Sequence, residues 1–80
     1  MNERLKHEGR LAEKERESKT LRLKIKGLIE SMRNLLDPFE NPLELELELV
    51  HGQAIEIRAA QIDLIAVEEE IKAIKKALGR

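Results

Sequence analysis

The sequence predicts an all-α fold, a long antiparallel helical hairpin of coiled-coil type. Three observations carry that prediction: one explicit break near the midpoint, helical periodicity on both sides of it, and a composition rich in Leu, Ile, Glu, Lys and Ala with Phe39 as the sole aromatic. The break is Asp37-Pro38-Phe39-Glu40-Asn41-Pro42. Pro38 lacks an amide hydrogen and disfavours helical backbone at Asp37, so an arm arriving through Leu35-Leu36 ends there. Asn41-Pro42-Leu43-Glu44 has the pattern of a restart, with Asn41 as N-cap, Pro42 at the first helical position and Glu44 at the capping-box position. The expected organisation of the 80 residues is one domain, with a helix over about 3–36, a turn at 37–42 and a helix over about 43–78.

The first arm is singly amphipathic. Leu11, Leu21, Ile25, Leu28, Ile29, Met32, Leu35 and Leu36 share one face of a 3.6-residue wheel. Before Leu21 that stripe is thin, because Arg10, Lys14 and Ser18 stand where apolar residues are expected. Residues 1–18 are therefore expected to be exposed and prone to fraying.

The second arm carries two apolar stripes. Leu43, Leu47, Val50, Ile57, Leu64, Ile71 and Leu78 form one, which pairs with Leu21, Ile25, Leu28, Met32 and Leu35 as the seam inside the hairpin. Ile55, Ala59, Ile62, Ala66, Ala73 and Ala77 form the other, displaced by roughly 140° at 100° per residue. One partner helix cannot cover both. A helix apolar on two sides is buried between neighbours, so the second stripe is expected to be a dimer interface, most simply of two hairpins in a four-helix bundle.

A strand reading competes locally, since Leu43-Glu44-Leu45-Glu46-Leu47-Glu48-Leu49 and Leu21-Arg22-Leu23-Lys24-Ile25-Lys26 both alternate with period two. Glu and Lys are depleted in strands, Leu, Glu, Lys and Arg favour helix, and the Asn41-Pro42 cap precedes the acidic segment; helix is the expectation. A turn at 37–42 pairs positions whose numbers add to about 79. Gly27 and Gly52 would then share a level, implying close approach or kinks, unless Gly52 ends a short helix and gives a three-helix chain. The same register brings Lys14 to Glu68, while Glu68 and Lys72 are spaced for a pair within the helix. Gly79 after Lys75 and Lys76 is a helix ending.

The formal charge of −1 divides unevenly, with ten Lys/Arg against six Glu in residues 1–36 and five against ten Asp/Glu in residues 37–80. Folding lays a basic arm against an acidic one. With no Cys, disulfides and thiolate metal sites are excluded. No apolar run approaches the roughly 20 residues of a membrane span and the charged start lacks a signal-peptide core, so a cytoplasmic location is expected and no membrane partner. His7 and His51 are far apart, Ser18, Ser31 and Thr20 have no adjacent His, and no glycine-rich phosphate loop follows a strand. No catalytic residue, metal ligand or cofactor is expected, and the protein is not expected to be an enzyme.

Nucleic-acid binding is the first alternative, since Arg4, Lys6, Arg10, Lys14, Arg16, Lys19, Arg22, Lys24 and Lys26 lie in one arm. Interleaved Glu8, Glu13, Glu15 and Glu17 and the lack of stacking aromatics count against it. A structural coiled coil whose whole role is self-assembly is the second. The preferred reading is a protein-interaction module in which Leu23, Phe39, Leu45 and Leu49 form an apolar tip near the turn for an unidentified protein partner. In size, in its hairpin pattern and in the ending Ile71-Lys72-Ala73-Ile74-Lys75-Lys76-Ala77-Leu78, the chain resembles the small helical hairpins encoded in early regions of Mu-like bacteriophages and prophages. That resemblance implies a dimerising adaptor or inhibitor directed at a host protein, and it assigns no binding residue.

Overall fold

A computed structural model describes residues 2–80 of the chain. Helix α1 spans Glu3–Leu35, a single 3-10 turn spans Pro42–Glu44, and helix α2 spans Leu47–Ala77. The side chain of Asn2 caps α1 by accepting from the Arg4 amide at 2.9 Å. Leu36 closes α1 by donating its amide to Met32, after which Asp37 accepts the Phe39 amide through its carboxylate and the Glu40 amide through its carbonyl. At the far end Gly79 adopts a φ of 79°, and the Gly79 and Arg80 amides return to the Lys76 and Lys75 carbonyls as in a Schellman ending. Both segments that alternate with period two contain no strand, and α2 runs unbroken through Gly52, which removes the three-helix alternative.

Two strictly alternating rows of 3 and 4 join the arms. On α1 they are His7, Leu11, Lys14, Ser18, Leu21, Ile25, Leu28, Met32 and Leu35; on α2 they are Val50, Gln53, Ile57, Ala60, Leu64, Val67, Ile71, Ile74 and Leu78. Every one of these is buried or half-buried, and the 3.5-residue repeat is that of a coiled coil. The contacts Ser18 to Glu68 and Lys14 to Glu70 fix a register in which facing numbers add to about 85, not 79.

That six-residue shift has a structural cause. The Asn41 side chain does cap, accepting the Leu43 amide at 3.0 Å, but the turn it nucleates stops at Glu44, Leu45 is extended, and α2 begins at Leu47 rather than at 43. In the observed register Val50 faces Leu35, the last residue of α1. Leu43 and Leu47, expected in the seam, therefore have no helix opposite them, and both are exposed, Leu43 by 93%. The remaining expected seam residues, Leu21, Ile25, Leu28, Met32, Leu35, Val50, Ile57, Leu64 and Ile71, do lie in the seam. Gly27 and Gly52 do not share a level, and a Cβ on either would meet nothing within 4 Å, so neither marks a close approach of backbones.

The hairpin measures 63 × 18 × 14 Å and has a radius of gyration of 18.2 Å, against about 12 Å for a compact 80-residue domain. Its accessible surface is 6369 Å², about 1,400 Å² more than the roughly 4,900 Å² typical of a folded monomer of this mass. Two helices alone leave much of their surface uncovered.

Candidate functional site

The open half of the hairpin, where the chain ends meet, and the loop half differ in finish. Leu11, Val67, Ile71, Ile74 and Leu78 form the buried cluster, with Leu21 packed against it. Residues 1–18 were expected to fray, yet from Leu11 onward they supply part of the best-packed region. The cause lies in long side chains laid across the seam. Glu68 accepts from the Ser18 hydroxyl at 2.6 Å and from Arg22 at 2.8 Å, Lys14 contacts Glu70 at 2.9 Å and Glu17 at 3.3 Å, and Arg80 reaches Glu8 at 2.8 Å. Three of these pairs bridge α1 and the α2 end of the hairpin beside the buried cluster. Lys14 thus pairs with Glu70 instead of Glu68, and Glu68 turns to Ser18 and Arg22 rather than to Lys72.

These contacts set the two resolved titration shifts. The Ser18 hydroxyl, followed by the Arg22 guanidinium, holds the Glu68 carboxyl below the usual carboxylate range. Hydrogen bonds to Glu70 and then Glu17 raise the Lys14 amine. Ser18 is the one buried polar residue among those described, only 6% exposed. A polar group at a seam position of this kind fixes register.

The loop half is the opposite case. Of the large hydrophobic side chains exposed among the described residues, all except Leu5 lie between residues 23 and 65: Leu23, Ile29, Leu36, Phe39, Leu43, Leu47, Leu49, Ile55, Ile62 and Ile65. In the expected tip, Leu23, Leu49 and Phe39 are exposed, Phe39 by 95%, whereas Leu45 is half-buried. In the expected dimer stripe, Ile55, Ala59, Ile62, Ala66, Ala73 and Ala77 are all exposed. Ile65 beside that stripe was not singled out from the sequence. One groove along the flank is lined by Arg22, Ile25, Lys26, Ile29 and Leu64, and another at the tip by residues 45–49.

Net charge is also concentrated around the turn. Residues 1–18 carry five Lys/Arg and five Glu, and residues 50–80 five Lys/Arg and five Asp/Glu, so both segments are neutral. Residues 19–36 carry five Lys/Arg against Glu30 alone, while residues 37–49 carry Asp37, Glu40, Glu44, Glu46 and Glu48 with no base. The whole charge division of the chain therefore lies within residues 19–49. Lys19, Arg22, Lys26 and Arg33, spaced by 3, 4 and 7, line one edge of α1 together with Ile29 and Leu36. Among the described residues, neither the tip carboxylates nor Lys19, Lys24, Lys26 and Arg33 have an opposite charge within 4.0 Å.

No group of three metal-ligating side chains occurs among the described residues. No helix among them is long and apolar enough to cross a membrane. Comparison with known proteins gave no match to a protein-family model, to a curated protein or to a solved structure.

Proposed function

We propose that this protein is a non-enzymatic protein-interaction module, a helical hairpin whose open half holds the fold together and whose loop half engages other chains. It acts as a homodimeric adaptor or inhibitor of a partner protein. The single observation that carries this reading is the segregation of exposed aliphatic side chains into residues 23–65, away from the buried cluster. Uncovered apolar surface on that scale marks interaction sites in small soluble proteins. The excess of about 1,400 Å² over a globular monomer exceeds the roughly 800 Å² that each partner buries in a standard interface.

The exposed stripe Ile55, Ala59, Ile62 and Ala66 supports a helix-on-helix mode of binding, since its short side chains let a partner helix approach closely. A pull-down from cell lysate comparing the natural chain with an Ala59→Glu/Ala66→Glu variant tests the partner-binding role of this stripe. Loss of a specifically captured protein is expected. Capture unchanged by both substitutions removes the stripe from the interface.

A further inference from the structure

We infer that the protein dimerises by laying the acidic loop tip of one copy along the basic α1 edge of a second copy, twice over about a two-fold axis. The inference rests on the interaction-module reading and names one occupant of the loop-half surface, another copy of this chain. Three observations converge on it.

The first is complementarity of charge within one chain. Residues 37–49 carry five acids and no base, and residues 19–36 carry five bases and one acid. The tip is also apolar, with Leu43, Leu47 and Leu49 exposed between Glu44, Glu46 and Glu48, and the basic edge presents Ile29 and Leu36 between Lys26 and Arg33. Acid-and-leucine therefore matches base-and-isoleucine.

The second is that the chain does not satisfy these charges by itself. Among the described residues, neither Glu40, Glu44, Glu46 and Glu48 nor Lys19, Lys26 and Arg33 are ion-paired, although four ion pairs form around the open-half seam. The tip stands past the end of α1, so most of the basic edge runs away from it. Lys19 lies 16 residues before Leu35, about 24 Å along the helix at 1.5 Å per residue. A second hairpin placed antiparallel, its loop half overlapping the first, brings tip to edge in both directions at once. That is the self-complementary geometry of an isologous dimer.

The third is area. The surface excess of the whole hairpin, about 1,400 Å², exceeds the roughly 800 Å² that each partner of a standard interface buries. Most exposed aliphatics lie in the halves that would overlap, leaving the ion-paired open halves pointing outward. Nucleic acid is the weaker occupant of the basic edge, because residues 19–36 hold no aromatic side chain on which a base could stack.

Charge reversal on the full chain tests this. A tip variant, Glu44→Lys/Glu46→Lys/Glu48→Lys, and an edge variant, Lys19→Glu/Lys26→Glu/Arg33→Glu, change exposed positions only, and circular dichroism checks that both keep the helical content of the natural chain. By sedimentation at low salt the natural chain is expected to be a dimer that weakens as NaCl is raised. Each variant alone is expected to lose affinity on the order of 100-fold, since its tip and edge now carry the same sign. Mixed one to one, they are expected to recover a heterodimer, because each supplies what the other needs. A natural chain that stays monomeric overturns the inference, as does a dimer indifferent to both reversals or a mixture that fails to recover. A dimer indifferent to reversal but broken by Ile55→Ser/Ile62→Ser would place self-association on the outer stripe of α2, overturning this geometry while leaving the interaction-module reading intact.

Discussion

The two halves of the hairpin invert what their seams would suggest. In the loop half the α1 seam is wholly apolar, Leu21, Ile25, Leu28, Met32 and Leu35, yet each of these residues is only half-buried. In the open half the α1 seam includes His7, Lys14 and Ser18, and there the core is closed. Two packed helices cannot enclose a seam by themselves, so burial depends on what flanks it. Glu8, Lys14, Arg22, Glu68, Glu70 and Arg80 fold over the open half and meet in pairs. Among the described residues the loop half beyond Arg22 has no such pairs and keeps its aliphatic flanks in water.

The largest expected effect is the loss of a side chain from the closed half. Ile74→Ala, at a position 3% exposed, should cost about 3 kcal/mol. Ile25→Ala in the half-buried seam should cost clearly less in a chain diluted until it is monomeric. Urea denaturation followed by circular dichroism reads both. Equal costs would break the contrast between halves.

The reasons why the sequence was legible in one place and not in another are physical. The break at Pro38 and the caps at Asn41 and Gly79 act over a few residues, and all three do what their local chemistry requires. Register does not act locally. It depends on how many residues the connection consumes, and the extended backbone at Leu45 consumes more than the Asn41-Pro42 cap implied, which moved Leu43 and Leu47 out of the seam and separated Gly27 from Gly52. The d-type seam positions Ala60, Val67 and Ile74 share the heptad of Ile57, Leu64 and Ile71, and a strict 3-4 count from Val50 would have found them. The closed open half was harder to foresee, because a cross-hairpin partner for Lys14 could be expected near Glu68, but only the true register assigns Glu70 to Lys14 and Glu68 to Ser18 and Arg22. Of the candidate surface, the exposed stripe on α2 could be read from spacing, whereas the confinement of all net charge to residues 19–49 shows only when the segments flanking the turn are counted apart from the rest of each arm.

Gly27→Ala and Gly52→Ala come next in size. Each glycine is in a helix, exposed, and open to a Cβ with nothing within 4 Å, so each substitution should stabilise the loop half by about 1 kcal/mol through helix propensity alone. The two should add, being far apart. A destabilising result at either site would mean that the assembled protein brings another backbone against that glycine. Still smaller is the effect of Ile62→Ser on the dilute monomer, expected within about 0.5 kcal/mol, because Ile62 is 52% exposed and lies outside the buried cluster. A larger cost under monomeric conditions would show that the outer stripe supports the hairpin itself.

The smallest effect, and the one most specific to the closed half, is its response to pH. Glu68 is held below the usual carboxylate range by Ser18 and Arg22, so the folded chain binds its proton less readily than the unfolded chain does. Its contribution is therefore complete above the ordinary glutamate value of about 4.3 and is lost as pH falls through the lowered one. Lys14 is raised by Glu70 and Glu17, so its contribution is complete below the ordinary lysine value of about 10.4 and is lost as pH climbs through the raised one. Both groups stabilise the fold fully between about pH 5 and 10. Melting temperatures of the dilute chain should fall on either side of that window, less steeply on the acid side in Glu68→Gln and less steeply on the alkaline side in Lys14→Met. If Glu68→Gln follows the acid limb of the natural chain, the collar around Ser18 is not what closes the open half, and the difference between the halves has to be sought in the apolar residues of α2.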